Sequence, residues 1–412
     1  MKKLLLLSTL LSISLVACGS DSAQDSNSKE GLEPIDIVVI TDTHYLSPDL
    51  TDHGKYFTDM MDSADGKMTR YCQELIEAGF SQVIDKGADA VILTGDLSFN
   101  GAKESHIDFA KELKTLEDAG IPVFVLPGNH DLNKANAASF FGDSYELVDS
   151  VTDQEFMDIY GDYGYDEAIA LDENSCSYVA RLSDDLRLLM VDVNGGGAGS
   201  MVKKEVLEWV EDQLKDASKE GDYVIAGSHQ TLFEHNPMFT FGYVMVNNQQ
   251  LLDLYKEYGV ICNLSGHMHI QHIAEDGLPE FVTAAQAVSP NYIANLHLED
   301  HQGHYEVEPT DVSTWAKDNG IEDPNLLDFA DYSSSYFKEV AKNKILSGDG
   351  DERNAEFFSE INRGYFSGDL RDLDLDQELL EYYKNNKDSD NKYMESIFYE
   401  LGNSYLFYDF SF

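Results

Sequence analysis

Cysteine and basic side chains are both scarce in this 412-residue chain, and after the first residues it holds no further long apolar run. Beyond Cys18 the cysteines are Cys72, Cys176 and Cys262, an odd number at wide spacing with no CxxC pair, which excludes a cysteine-built zinc site. Three buried thiols are expected, with one disulfide left open. Lys and Arg number 28 against 76 Asp and Glu, for a formal net charge of −48. Such a field opposes nonspecific binding to nucleic acid or to anionic lipid, although plain solubility explains it as well. An anionic substrate would need a local positive centre, which a bound divalent metal supplies without any Lys or Arg. No internal repeat is visible. Hydrophobic residues at 42% still provide for a full-sized core, and the length fits two domains.

The one long apolar run is LLLLSTLLSISLVA, which follows Met1-Lys2-Lys3. At about 14 residues it is shorter than the roughly 20 a spanning helix needs, and it reads as a signal peptide over 1–17. Leu15-Val16-Ala17-Cys18 resembles the lipobox of bacterial lipoproteins, whose cysteine becomes the lipidated first residue; an ordinary secretory signal is the alternative. The Ser-, Asp- and Asn-rich stretch after Cys18 reads as a tether, giving a lipid-anchored segment over 18–33. The expected location is extracytoplasmic, on the bacterial membrane through a lipid on Cys18, with no nucleic-acid partner.

From residue 35 short apolar runs alternate with helical patterns. Ile35–Thr41, Ala90–Thr94, Val123–Leu126, Leu188–Val193, Val224–Gly227 and Ile261–Leu264 read as strands, with Glu280–Thr283 and Tyr292–Leu298 after them. Met68–Lys86, Ser105–Ala119, Lys203–Lys219 and Asn248–Tyr258 read as helices, which Gly87, Gly120 and Gly259 should stop. Continuous rather than alternating apolar runs point to strands buried on both faces, hence a layered α/β domain over 34–308. A smaller α-helical domain is expected over 309–412, with helices at Leu326–Ala341, Ala355–Tyr365, Gln377–Asn385 and Lys392–Tyr405. The aromatic tail FYDFSF reads as core packing of that small bundle rather than as a binding face.

Polar residues cluster where those strands end. Asp42-Thr43-His44 follows the first, Gly95-Asp96 the second and Gly128-Asn129-His130-Asp131 the third. Ser228-His229-Gln230 and Gly266-His267-Met268-His269 follow two later ones. Clusters at strand C-terminal ends are the placement of an α/β active site, and Asp, His and Asn suit borderline divalent metals. Both side chains of an Asp-x-His or His-x-His pair aim at one point only if the backbone kinks. Glycines 95, 128 and 266 permit the close approach this needs.

The order D-x-H, G-D, G-N-H-D, H, G-H-x-H, over roughly 35–300, resembles the calcineurin-like metallophosphoesterase superfamily. It is most similar to the cyclic-nucleotide phosphodiesterase branch. Thr43-His44-Tyr45-Leu46-Ser47-Pro48, with Asp52 and Gly54, also resembles lipoproteins of that branch with a helical C-terminal domain. The resemblance implies an α/β/β/α sandwich and two divalent transition metals among Mn, Fe, Zn and Co. It implies that Asp42, His44 and His269 hold the first metal, that Asp96 bridges, and that Asn129, His229 and His267 complete the second. His130 would lie outside the coordination sphere beside the leaving oxygen, and Asp131 would support its loop. Two cations about 3.5–4 Å apart acidify a bridging water for in-line hydroxide attack and stabilise both entering and leaving oxygens.

Two departures stand out. Phe99 replaces the tyrosine that purple acid phosphatases carry three residues after the GD aspartate, so a coloured Fe(III)–tyrosinate site is not expected. Gln230 stands where many relatives have a second histidine, which puts its substrate contacts in question. His53, His235 and His272 are further substrate-pocket candidates against a reading as loop residues. The run Gly195-Gly196-Gly197 lacks a nucleotide-binding context and reads as a flexible rim. The expected activity is hydrolysis of a small phosphoester, with cyclic nucleotides or other diesters preferred. Alternatives are a phosphomonoesterase or nucleotidase on the same scaffold, and a non-catalytic metal-binding surface lipoprotein.

Overall fold

The computed structural model describes residues 31–62, 64, 66–195, 200–348, 350–385 and 392–412. The leader, Cys18, most of the tether and Gly196-Gly197 lie outside the described residues. Strand Leu32–Ile40 begins just before the expected boundary at 34, so Leu32 and Glu33 belong to the sheet.

The fold is α/β with two main sheets. The six-stranded sheet runs, edge to edge, Phe407–Ser411, Gln302–Pro309, Tyr292–Asp300, Leu32–Ile40, Ala90–Leu93 and Val123–Val125. Its last three strands are parallel, in register Ile40 opposite Leu93 and Leu93 opposite Val125. Their C-terminal ends therefore arrive side by side. The seven-stranded sheet carries Leu186–Met190, Tyr223–Gly227, Asn263–Ser265 and Pro279–Val282 as a parallel centre, with antiparallel strands at both edges.

Alternation along these strands separates two cores. Leu188, Met190 and Ile225 join a large cluster that holds residues of both sheets with helices Cys72–Lys86 and Lys103–Asp118. Leu189, Val224 and Ala226 face the other way, onto helices Lys204–Glu220 and Asn248–Tyr258. Val206, Val210 and Leu214, at helical spacing, form the matching stripe. Each aliphatic chain so buried contributes about 1.5–3 kcal/mol. Gly87 and Gly259 cap their helices in the left-handed conformation, with Gly120 one residue past its cap. Cys72, Cys176 and Cys262 are buried free thiols.

A helical C-terminal region follows the sheets. Its main helices are Phe329–Leu346, Glu352–Ser367, Gln377–Asn385 and Lys392–Phe398. The first starts after a break at Asp328, and the last stops well short of Tyr405. No helix among the described residues is long and apolar enough to cross a membrane. Phe357, Ile361, Tyr365 and Leu370 pack with Met268 and Ile270, so this core is continuous with the G-H-M-H loop. Gln271 N–H donates to the Phe366 carbonyl at 3.0 Å, and its side-chain amide donates to the Tyr405 carbonyl at 2.9 Å.

The aromatic tail corrects the sequence expectation. Phe407–Ser411 is not bundle core but the edge strand of the six-stranded sheet, antiparallel to Gln302–Pro309. Tyr408, Phe410 and Phe412 pack on the large core while Phe407, Asp409 and Ser411 face solvent, a two-residue period that a helical reading overlooks. Phe410 covers Gly303, where an added Cβ would meet the ring at 2.2 Å, and lies 5.5 Å from the buried ring of Phe281. Phe410→Ala should cost about 2 kcal/mol, roughly half the loss at a fully buried phenyl site. Urea denaturation reads this as a lower midpoint; an unchanged midpoint would show that the tail strand contributes nothing to the sheet.

Candidate metal centre

All five polar clusters meet where the parallel strands of the two sheets end. Backbone bonds lock the loops together: Asp42 N–H donates to the Gly95 carbonyl and His44 N–H to the Asp96 carbonyl, each at 3.0 Å. Asp131, fully buried, accepts from the backbone N–H groups of Leu97, Ser98 and Gly128 and from the Ser98 hydroxyl, which joins the second loop to the third. The kinks are extreme. Asp42, His44, Asp96, His267 and His269 all have left-handed backbone, with φ of 51°, 43°, 50°, 68° and 59°, each at a cost of roughly 1–3 kcal/mol for a non-glycine residue. Gly128 has no room for a side chain, because a Cβ would stand 2.2 Å from the Asp96 carboxylate. At Gly266 it would meet Thr41 Oγ1 at 2.0 Å and Asp42 Oδ2 at 2.4 Å.

Two groups of ligand atoms result, Asp42, His44, Asp96 and His269 in one and Asp96, His229 and His267 in the other, each within 4.8 Å of one another. They share Asp96. Asp42 Oδ2 accepts from Thr41 Oγ1 and from the His267 N–H. Asp42 Oδ1 is buried with no hydrogen-bond partner, 3.3 Å from His269 Nε2 and 3.8 Å from His44 Nε2. His44 Nε2 and His269 Nε2 stand 3.1 Å apart. Ligand atoms about 2.0–2.1 Å from one ion, at right-angled to tetrahedral spacing, lie roughly 3.0–3.4 Å from each other. An orphaned buried carboxylate oxygen facing two imidazole nitrogens at such edges fits a cation.

In the second group Asp96 Oδ2 lies 3.3 Å from His229 Nε2, which is 3.1 Å from Asn129 Oδ1. His229 Nδ1 donates to the Thr94 carbonyl at 2.9 Å, so Nε2 is the nitrogen turned to the site. His267 Nε2 donates to the Gly242 carbonyl at 2.9 Å, which turns Nδ1 inward. Carbonyls only accept, so these contacts set the tautomers, as outer partners of metal-binding histidines do. Burial pushes the His229 imidazole down, but the Asp96 carboxylate beside it outweighs this and carries it up to about 9. Burial and the His229 charge hold His267 down at about 4. Burial opposes ionisation of Asp96, yet the neighbouring imidazoles keep its carboxyl well below the usual range.

His130 stands at the rim, with Nδ1 donating to the Phe99 carbonyl at 2.9 Å and Nε2 4.0 Å from Asp96 Oδ2. A cleft of about 370 Å³ opens from the paired groups and is lined by His130, His267, His269 and Lys67, with Tyr365, Phe366 and Tyr393 from the helical region. A second cleft, of about 640 Å³, shares His130 and Lys67 with the first. Lys67 is 8% exposed, and its charge helps, after burial, to hold His44 well below its ordinary range.

The remaining candidates sit elsewhere. Gln230 is fully buried and exchanges amide hydrogen bonds with Asn194. His53 is exposed, stacked on Phe57 at 5.1 Å, and lines neither cleft. His235 and His272 line neither of these clefts and are not exposed. They are buried with their Nδ1 atoms 2.9 Å apart, and His235 Nε2 is 3.0 Å from Glu280. Glu280 also accepts from the N–H groups of Leu232 and Phe233, which pins the segment after His229 to the sheet. Lys67 and the aromatic lining escaped sequence reasoning, because nothing in a lone lysine or a helix-borne tyrosine marks it as facing a site built from distant stretches of chain.

Comparison with known proteins identifies the family. Residues 35–271 match the model of the calcineurin-like phosphoesterases, and residues 311–402 that of the C-terminal domain of cyclic nucleotide phosphodiesterase. A probable glycerophosphodiester phosphodiesterase, GpdQ, of Arcobacter nitrofigilis is 26% identical over 246 residues, which cover 57% of this chain and 76% of that protein. Among solved structures, a dimetal phosphatase from Danio rerio is 12% identical, with a TM-score of 0.49 over 67% of this chain and 96% of that one. A purple acid phosphatase of yellow lupin is 15% identical, with a TM-score of 0.45 over 68% of this chain and 52% of that one. With its two sheets, its shared-carboxylate Asp/His groups and a family match over more than half its length, the chain belongs to the calcineurin-like phosphoesterases and carries a C-terminal domain of the cyclic nucleotide phosphodiesterase kind.

Proposed function

We propose that this metallophosphoesterase is a two-metal phosphodiesterase acting on cyclic nucleotides or related diesters. The observation that carries the reading is a pair of clefts that meet at His130 and Lys67, the first of them also lined by Asp96, Asn129, His267 and His269. A phosphate diester has two arms, and two adjoining clefts offer a wall to each. The matched C-terminal model and the glycerophosphodiesterase relative support the same choice.

Asp42, His44 and His269 would hold one divalent ion, Asn129, His229 and His267 the other, with Asp96 between them; the donor set suits Mn, Fe, Zn or Co. Ions so placed lower the pKa of a water and offset charge on the entering and leaving oxygens. The chain's own part is then narrow. The Phe99 carbonyl fixes His130 with Nε2 turned inward, where it gives a proton to the departing oxygen. Lys67, buried at the junction of the clefts, brings positive charge to the phosphate.

Anchoring through a lipid on Cys18 belongs to the same proposal, with the leader sequence as its support. Labelled palmitate should enter the chain in a bacterial host and be lost in Cys18→Ser; equal labelling of both would remove the anchor from the reading.

Calorimetric titration with Mn²⁺ at pH 7, in buffers of different ionisation enthalpy, should show release of roughly one proton from His229. The affinity should rise with pH and the release fade above about 9, where that imidazole is already neutral. Binding with no proton release would show that the His229 imidazole is already neutral at pH 7. Wild type loaded with Mn²⁺ should hydrolyse bis-p-nitrophenyl phosphate and cyclic nucleotides faster than p-nitrophenyl phosphate. His130→Ala should lower kcat by about 10²–10⁴-fold, and Asp96→Asn should lose both metal and turnover. A preference for the monoester would sink the diesterase reading and leave the metal centre standing.

A further inference from the structure

The second cleft has a composition unlike the rest of the molecule. Tyr56, Phe99, Phe140 and Tyr145 line it together with Lys67, Lys134 and Lys344, and among the described residues none of its lining is acidic. Over its whole length the chain carries 76 acidic residues against 28 basic ones. Three lysines gathered beside aromatic rings therefore form a local positive region in a strongly negative protein, and His130 borders it as it borders the first cleft.

The aromatic wall is built. The segment after the G-N-H-D loop folds into a two-stranded hairpin, Ala138–Phe141 with Ser144–Leu147, which pairs with neither main sheet. Asp52 fastens its tip by accepting from the N–H of Gly142 at 3.0 Å while also accepting from that of Gly54. The ring of Phe140 lies nearly parallel to Tyr56, at 6.1 Å and 11°, and Tyr56 meets Tyr145 at 5.4 Å. Phe99 stands edge-on to Phe140 at 6.2 Å, and the carbonyl of this same Phe99 receives the His130 Nδ1 proton. Proton donor and aromatic wall are thus joined through one residue. Tyr145 nevertheless remains 52% exposed, a ring face that water covers poorly. Lys134, half-buried, donates to the Asn129 carbonyl at 2.9 Å, which places its ammonium beside the loop that carries His130.

We propose that this cleft is the subsite for the departing half of the substrate, and that it takes a nucleotide: a flat base against the Tyr56–Phe140–Tyr145 wall and a second phosphate among the lysines. The inference rests on the diesterase reading and narrows it to diesters with a second phosphate, such as dinucleotides. In the reaction, water oxygen forms the new bond to phosphorus. The oxygen of the departing half keeps the electron pair of the broken P–O bond and takes the proton of His130 Nε2. The water proton passes to solvent, from which His130 is reprotonated. Stacking on aromatic rings holds any base, and ammonium groups hold phosphate as point charges.

The test measures kcat/KM of the metal-loaded full chain on three diesters. In pApAp either half carries a base and a second phosphate, in ApA a base alone, and in glycerophosphoethanolamine neither. The expected order is pApAp, then ApA, then glycerophosphoethanolamine, with steps of at least about fivefold, the low end of what one stacking ring contributes. Tyr145→Ala should compress the ratio of ApA to glycerophosphoethanolamine, and Lys134→Met the ratio of pApAp to ApA. Ratios taken within one preparation cancel any loss that Lys134→Met causes through the Asn129 loop. A flat series in wild type, or ratios unmoved by both substitutions, overturns the subsite while hydrolysis of bis-p-nitrophenyl phosphate keeps the diesterase reading. Hydrolysis of monoesters alone overturns both.

Discussion

Two carboxylates buried within reach of one set of imidazoles set the terms for everything else in this molecule. Removing a carboxylate from water costs several kcal/mol even after relaxation, and Asp42 and Asp96 are both fully enclosed. Each has one oxygen satisfied by the protein: Asp42 Oδ2 by Thr41 and the His267 N–H, Asp96 Oδ1 by the His130 N–H. The other oxygen of each turns toward imidazole nitrogens. One imidazolium, His229, offsets part of the charge, and the remainder is a standing attraction for cations. Binding an ion here therefore stabilises the fold as well as equipping it for chemistry.

The sheets make this arrangement tolerable. Five left-handed residues in three short loops are strained, and loops alone would relax. Parallel strands in tight register deliver the loop ends to one place, Asp131 ties the second loop to the third, and Glu280 pins the segment behind His229. Rigid elements thus carry the strain that the converging side chains require.

The sequence showed the strands well, because runs such as Ala90–Leu93 and Tyr223–Gly227 are buried on both faces and have no competing pattern. The motif residues were legible for a related reason: a polar side chain directly after such a run has nowhere to go but the sheet's end. What stayed hidden needed three dimensions. His235 and His272, 37 positions apart, share one buried contact that neither position announces. The tail was misread because its aromatics suit either a bundle or an edge strand, and only the Asp409 and Ser411 alternation separates them. The Ala138–Leu147 hairpin, short and with a solvent-facing second strand, carries too little periodicity to distinguish it from loop.

The helical region touches the loop of His269 through the backbone of Gln271, yet the protein groups that would meet the metals all come from the sheet-bearing part. The candidate ligands and the aromatic lining of the smaller cleft therefore come from different stretches of chain. Tyr365 and Tyr393 line the smaller cleft from within the core that packs on Met268 and Ile270, so the shape of that cleft is tied to the packing of the helical region against the His269 loop.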